Sequence, residues 1–406
     1  MTDRLYYTDP YLQAFDATIV RVDRRGDRLA VGLDRTAFYP TSGGQPFDTG
    51  ALGQFRVVDV VDEEDGTVTH LTERETENAQ LKTGEPVHGA IEWPRRFDHM
   101  QQHSGQHVLS AAFEKLFHAR TVSFHLGAAV STIDLARELT PAEIAAAVAE
   151  ANRIVWEDRL VSIRFADAAE AARLPLRKEP ARGGILRLIE VEGFDLSACG
   201  GTHVARTGGI GVIAVASWER FRGGQRLEFL CGGRAHDAYA RLRDVIGASV
   251  RLLSVLPEDV PAAIERLHAE AKDQKRSIAG QQEELARYRA DQLADAAEDV
   301  RLNAATGAEP RCRLVARVLD ADANGLRTLA TAIAVKPGFL VVLASLSSPA
   351  LVVIARSSDI PISAQQLLQT LTAEFGGRGG GRSEMAQAGG LAATGEAILA
   401  TFRRAI

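Results

Sequence analysis

Over residues 1–95 apolar and polar positions alternate in short stretches such as ATIVRV, LAVGL and FRVVDVV, separated by Gly, Asp and Pro. A period of two predicts strands, and their close spacing predicts a small barrel or sandwich. Between them FYPTSGGQPFDTG, residues 38–50, is too rich in Gly and Pro for a helix. From Arg95 the period becomes helical, with Val108, Ala111, Ala112 and Leu116 on one face. Gly105 interrupts this helix at a cost of about 1 kcal/mol relative to Ala, which points to a close approach to the backbone there. A second helix is predicted from Thr140, with Thr as N-cap and Pro141 at the first position. Strand-like LVSIRF, ILRLIEV, IGVIAVASW and RLEFLCG follow, a mixture typical of an α+β domain.

Residues 236–256 read as a helix, LPEDVP breaks the chain, and helical sequence resumes to about Asn303. Ile264, Leu267, Ala271, Ile278, Leu285 and Tyr288 fall on a heptad-like stripe, broken by Gln274, Gln281 and Gly280. That favours a helical arm or hairpin over a strong independent coiled coil. AATGAEP, 304–310, reads as a linker. Beyond it CRLVARVLD, FLVVLASL and ALVVIARS predict buried strands, with helices near 323–335 and 363–375. The Gly-dense GGRGGGRSEMAQAGG, 376–390, precedes a final helix. The fold class is therefore α+β multidomain. It comprises a β-barrel-like N-terminal domain over 1–95, an α+β domain over 96–247, a helical arm over 248–303 and a C-terminal α/β domain over 308–406.

Composition changes this picture little. A chain of 406 residues with 46% hydrophobic and 25% charged residues is ordinary for a globular protein. No apolar run approaches the roughly 20 residues of a membrane span, and the N-terminus lacks a signal-peptide core. A cytoplasmic protein is expected. Three cysteines, Cys199, Cys231 and Cys312, are too few for a disulfide scaffold. The net charge of −6 argues against indiscriminate nucleic-acid binding, although it leaves room for a local basic surface.

The candidate chemistry begins with HSGQH and CGGTH, which place His103, His107, Cys199 and His203 in two pairs of i,i+4 spacing. Two imidazoles one turn apart project from one helix face, and a thiolate with a third imidazole would complete the tetrahedral N/S shell that zinc prefers. Either pair alone is compatible with an ordinary helix or turn; their joint occurrence points to metal. His99 shares the same helix face. Ser104 follows His103, so the HExxH glutamate of a metalloprotease is absent. Four protein ligands suit a closed structural site and three an open catalytic one, which leaves both roles open.

In the 38–50 stretch Gly43 and Gly44 permit positive φ, and Thr41, Ser42 and Gln45 offer hydroxyl and amide hydrogen bonds. It reads either as a decorated turn or as the polar rim of a small-substrate pocket. GGRGGGRSEMAQAGG lacks the GK[ST] ending of a P-loop. It is either a flexible connection or a backbone nest in which Arg378 and Arg382 meet phosphates. RFRGGQR, 220–226, is a second Arg/Gly cluster.

Taken together, HSGQH, CGGTHVARTGGIG and GGQRLEFLCGGRA resemble the editing domain of alanyl-tRNA synthetase. FYPTSGGQPFDTG resembles the glycine-rich motif of the small β-domain before it. GGRGGGRSEMAQAGG resembles that synthetase's C-terminal domain, which also occurs behind DHH phosphoesterase domains. The resemblance covers nearly the whole chain in the same order, while the aminoacylation domain has no counterpart. The chain is thus identified as a member of the free-standing alanyl-tRNA editing proteins, AlaX type, long form. Ser104 and Gly105 depart from the Thr and Ala common in relatives, and Arg378 replaces a frequent Lys.

The resemblance implies a zinc-dependent aminoacyl-tRNA deacylase that hydrolyses mischarged alanine tRNA, chiefly Ser-tRNA(Ala) and also Gly-tRNA(Ala), without aminoacylation activity. It implies one zinc per chain on His103, His107, Cys199 and His203. Thr41 would sense the seryl hydroxyl, Gln45 would line the pocket, and Arg378 and Arg382 would contact tRNA. No general base is assigned. A homodimer through the helical arm and C-terminal domain is a further expectation. Two alternatives stand beside this reading: editing of Ser-charged threonine tRNA, and a noncatalytic tRNA-binding protein with a structural zinc.

Overall fold

The computed structural model describes residues 1–73, 81–177, 184–302 and 311–406. The linker expected at 304–310 lies outside the described residues. The chain divides into two compact units, Met1–Leu252 and Leu253–Ile406.

In the first unit a closed barrel runs through Ala14–Arg25, Arg28–Leu33, Val68–Thr72, Phe55–Asp62, Gly50–Leu52 and Pro86–Ile91 in spatial order. Alternation explains it: Phe15, Ala17 and Ile19 point inward from the first strand while their neighbours face water. Closure removes the free edges of a short-stranded sheet. The stretch 38–50 leaves this barrel as a loop and re-enters it at Gly50.

The Trp93–Phe117 helix follows directly, with a proline in its first turn and His118 in the left-handed conformation at its end. It is buried from Arg96 to Phe113 except on its outer turns. One side meets a sheet ordered Ile213–Phe221, Gly224–Cys231, Ser131–Leu135, Thr121–Leu126. A second sheet is built from Val161–Ala166, Leu186–Val191 and Asp195–Ala198. The helix expected from Thr140 spans Pro141–Trp156, and Thr140 with Glu143 forms a full capping box. Gly105 has the close neighbour its position implied: a Cβ there would lie 2.2 Å from Cys231 Sγ.

In the second unit a six-stranded sheet runs Glu298–Arg301, Arg311–Leu319, Phe339–Ser345, Ala350–Arg356, Met385–Leu391, Arg378–Gly381. Phe339–Ser345 is buried at every position. Leu340, Val342 and Ala344 pack on the side of the Ala364–Phe375 and Gly395–Ala405 helices, and Phe339, Val341 and Leu343 on the side of Ala323–Ala334. A strand covered on both faces reads as an unbroken apolar run for this reason.

The helical segments need two corrections. Gly233–Leu253 and Val260–Asp295 are the helices, so the second ends at Asp295 rather than running on through Arg301; Asn303 itself lies outside the described residues. Glu298–Arg301 is instead an edge strand, held by pairing with Arg311–Leu314 and by the Glu298–Arg403 ion pair. Gly280 does not break Val260–Asp295. Its stripe of Ile264, Leu267, Ile278 and Leu285 is exposed, whereas Ala286, Ala290 and Ala294 pack against Ala323–Ala334. No helix among the described residues is long and apolar enough to cross a membrane. All three cysteines are free.

A candidate metal centre at the foot of a cleft

His103 and His107 lie one turn apart on the buried face of Trp93–Phe117. Cys199 and His203 come from the irregular turn that leaves Asp195–Ala198. Their spacing arises from a folded-back loop rather than a helix. The four ligand atoms all lie within 4.8 Å of one another. Cys199 Sγ stands 3.3 Å from both His103 Nε2 and His203 Nε2. Zinc–nitrogen bonds of about 2.0–2.1 Å and a zinc–sulfur bond of about 2.3 Å place tetrahedral ligand atoms about 3.3–3.6 Å apart. The cluster therefore fits a tetrahedral ion after drawing in at its widest edge.

The outer contacts of the rings support the same conclusion. His103 Nδ1 lies 2.8 Å from Gln45 Oε1. That oxygen also accepts the Thr202 N–H at 3.1 Å, and Gln45 Nε2 donates to Thr202 Oγ1 at 2.8 Å. Because a backbone N–H can only donate, the amide oxygen is an acceptor and the proton sits on His103 Nδ1. The lone pair of Nε2 is then free to face the metal point. His107 Nδ1 is held at 3.1 Å by Asp195 Oδ2, an acceptor that fixes the same tautomer. His203 Nδ1 meets Ser104 Oγ at 3.2 Å. Partners of this kind orient metal ligands and raise their basicity.

The electrostatics are consistent with ligation. Burial alone would push the Cys199 thiol up, but the His103 and His203 imidazoles overcome it and hold the thiol well below its ordinary range. Burial pulls His203 down to about 3, so its ring is neutral. Burial opposes the His107 charge too, yet Asp195 and Cys199 raise it to about 8. Asp195 is held below the usual carboxylate range by His107 and Arg177 against the opposing effect of burial. A thiolate with imidazoles is the donor set that Zn²⁺ selects.

A cleft of about 420 Å³ opens over this cluster, lined among others by Tyr39, Ser42, His103, Gln106, Phe124, Arg177 and Cys199. Ser42 and Gly44 bring the 38–50 loop to its wall. Arg96, on the same helix as His103 and His107, anchors the loop's far end through Asp48. Arg187 anchors the Cys199 turn by donating to the carbonyls of Cys199 at 2.7 Å and Gly201 at 2.9 Å. At Gly201 a Cβ would lie 2.2 Å from His103 Cε1, so only glycine lets the turn pass the ring.

Other expected site residues fall elsewhere. Gln45 was expected in the pocket wall, but it is fully buried and stands behind His103. The positive φ of Gly43 and Gly44 turns the loop so that its amide meets Thr202 rather than the cleft. Thr41 is exposed and adjoins the cleft through Ser42, with its N–H on Val60 O at 3.2 Å. His99 is buried, pulled down to about 4 by burial, and lies outside the ligand group. In the second unit Arg378 and Arg382 are exposed on and just after the Arg378–Gly381 edge strand. Two of the glycines between them are needed for strand contact: a Cβ at Gly379 would lie 2.2 Å from Gln387 O and one at Gly381 2.3 Å from Met385 O. Asp195, Arg177, Arg187 and Arg96 carry no motif of their own, whereas Asp48 lies inside FYPTSGGQPFDTG and Gln106 inside HSGQH.

Comparison with known proteins finds three matching stretches. Residues 11–95 match the family of class II (A) tRNA synthetases, residues 186–228 the threonyl and alanyl tRNA synthetase second additional domain, and residues 312–406 the DHHA1 domain. Alanine–tRNA ligase of Pyrococcus abyssi is 31% identical over 95% of this chain, which spans 42% of the ligase. The alanyl-tRNA editing protein AlaX-L of Pyrococcus horikoshii is 32% identical over 95% of this chain and 94% of its own length. Among solved structures, the C-Ala domain from Aquifex aeolicus alanyl-tRNA synthetase matches at 24% identity and a TM-score of 0.22, covering 23% of this chain and 88% of that one. Fold and site thus define a protein of the synthetase editing class. The chain belongs to the alanyl-tRNA editing proteins of the AlaX-L type.

Proposed function

We propose that this chain is a trans-editing hydrolase that cleaves the ester between a wrong amino acid and alanine tRNA. Its chief substrate is Ser-tRNA(Ala), with Gly-tRNA(Ala) second, and it carries out no aminoacylation. The observation that carries the proposal is the cleft in which the 38–50 loop meets the His103, His107, Cys199 and His203 cluster. Near-full-length similarity to an alanyl-tRNA editing protein supports it. The work takes place in the cytoplasm.

One zinc per chain would be held by these four residues. When bound, it would supply a Lewis acid that orders and polarises the aminoacyl end. The chain's own groups do the rest. Gln45 acts through His103 by fixing its tautomer, and Asp195 does the same for His107. Thr41, carried by the loop that reaches the cleft through Ser42, reads the seryl hydroxyl. A site that hydrogen-bonds a hydroxyl discriminates strongly against an analogue lacking it. Alanine is thereby left unproductive. Arg378 and Arg382 supply backbone contacts to the tRNA, and the exposed stripe of Val260–Asp295 supports a homodimer.

A second reading has its own support, since the second additional domain is shared by threonyl and alanyl synthetases. Ser-charged threonine tRNA is therefore the control substrate, although the DHHA1 match favours the alanine system. Deacylation of Ser-, Gly- and Ala-charged alanine tRNA, with Ser-charged threonine tRNA alongside, tests the proposal. Hydrolysis of the first two and sparing of the others is expected. Failure to hydrolyse any mischarged alanine tRNA would overturn it. Cys199→Ala is expected to abolish turnover. Loss of tRNA binding with no turnover in the parent would favour a noncatalytic binding protein.

A further inference from the structure

Gln106 lies between the two histidines of HSGQH and is only 3% exposed, yet it lines the cleft. Its Nε2 donates to Ser110 Oγ at 2.9 Å. Ser110 Oγ also receives Thr121 Oγ1 at 2.7 Å, so the amide is tied to both the helix and the neighbouring strand. Its Oε1 has no hydrogen-bond partner among the described residues. A buried acceptor left unpaired is costly, and such groups are normally satisfied by an ordered water or a ligand.

Several other polar groups of the cleft are already engaged. Ser123 Oγ donates to Asp134, Ser197 Oγ and Arg177 donate to Asp195, and the Tyr39 hydroxyl donates to Ser42 O. Gln106 Oε1, itself closed off from solvent here, is thus an acceptor left unpaired beside the cleft. A cationic donor is disfavoured, because two positive charges repel in a site of low dielectric. The Arg177 guanidinium, though paired with Asp195, lines the same cleft, and a divalent ion held by one thiolate would keep a positive charge at its foot. A neutral donor is not penalised.

We propose that Gln106 holds the hydrolytic water. This rests on the deacylase reading above. Oε1 accepts one hydrogen of the water and thereby aims an oxygen lone pair at the acyl carbon. The water oxygen–acyl carbon bond forms, and the bond from the acyl carbon to the ribose oxygen breaks. One water proton ends on the departing ribose oxygen, and the other leaves the new carboxyl group for solvent. Gln106 stays neutral throughout and acts as an orienting acceptor rather than a general base.

The test uses the full-length parent, Gln106→Met and Gln106→Glu. It measures kcat and KM on Ser-tRNA(Ala), the Kd of a non-hydrolysable amide-linked seryl-tRNA, and zinc content. Methionine removes the acceptor at similar size. Its kcat is expected to fall at least about tenfold, with KM and analogue Kd within about twofold and zinc retained. Glutamate keeps an acceptor. It is expected to recover to within about threefold of the parent. A methionine variant with unchanged kcat overturns the proposal. So does a rise in KM and analogue Kd at constant kcat, which would make Gln106 a ribose or amino-acid contact. If the methionine variant fails to load zinc, the zinc-loaded glutamate variant decides: recovery supports the proposal and loss overturns it. An active parent with an unaffected variant refutes only the role of Gln106. A parent inactive on every mischarged alanine tRNA refutes the function and this inference together.

Discussion

Asp48 and Arg96 form an ion pair with neither side chain reaching solvent. Asp48 ends the glycine-rich loop, and Arg96 sits two turns before His103 on the ligand-bearing helix. The carboxylate also accepts the Tyr39 N–H at 2.6 Å, and the guanidinium donates to Pro10 O at 2.9 Å and Ala37 O at 2.5 Å. The pair therefore locks the loop's two ends and the barrel to the helix that carries His103 and His107.

Breaking this pair from one side leaves a charge in the interior. Asp48→Ala is expected to destabilise the first unit by about 3–5 kcal/mol. Replacing both partners with apolar groups removes the stranded charge, so Asp48→Leu with Arg96→Met should recover part of that loss. Urea unfolding of the single and double variants measures both. Equal destabilisation by the single and double changes would mean that the hydrogen bonds, not the charge, carry the cost.

Gln45 is tied to His103 in a direction that Thr202 fixes. Gln45→Leu removes the acceptor that holds the proton on Nδ1, and the ring is then free to present the wrong nitrogen. Zinc affinity is expected to fall about 10- to 100-fold, the usual cost of losing an outer partner of a metal ligand. Competition with a chelator reads this directly. Unchanged affinity would assign Gln45 a role in holding the turn alone.

His70 gives the barrel a pH dependence of its own. It is fully buried, and burial pulls it from 6.5 down to about 4. Its Nδ1 faces Val31 O at 3.0 Å, which can only accept, so Nε2 is the acceptor for the Thr36 hydroxyl at 2.8 Å. Thr36 in turn accepts the Phe38 N–H at the start of the glycine-rich loop. Protonation would oppose two donors across that bond. Between pH 6.5 and about 4 the unfolded chain binds a proton that the folded chain refuses. Stability is therefore full above the unfolded value and is lost as pH falls, by about 3 kcal/mol in all. His70→Gln keeps a donor and an acceptor without titrating. Its stability should decline less than the parent's across this window in denaturation curves.

The cluster of His103, His107, Cys199 and His203 was legible because it is written locally. The four residues form two short motifs, and the alternation before them and the helical period around them survive in the fold. What holds the ligands was not legible. Asp195 meets His107 across 88 positions of chain, and Gln45 meets Thr202 across 157. No periodicity links such residues; only the path of the sheets does. Gln45 illustrates the point, since GGQ marked it as a binding residue while the turn made by those glycines faces it inward. Glu298–Arg301 was read as helix for the converse reason. Its polar sequence follows a long helix without a strong stop, and its partner strand begins only at Arg311.

Gly105 is the position where helix propensity and packing disagree most sharply. Propensity favours Gly105→Ala by about 1 kcal/mol. A Cβ there, however, would stand 2.2 Å from Cys231 Sγ and 3.4 Å from Ile210 Cγ2. The sulfur is fully buried, and Cys231 N accepts no freedom either, since it donates to Gln102 Oε1 at 2.9 Å. Overpacking of this kind costs about 1–3 kcal/mol. Gly105→Ala is thus expected to be net destabilising by up to about 2 kcal/mol, taking the packing cost against the propensity gain. Because the clash is with one sulfur atom, Cys231→Ala should restore the Gly105→Ala variant, while alone it leaves a cavity and costs stability. A double-mutant cycle by urea unfolding isolates this coupling, and a value near zero would show that the helix shifts aside instead.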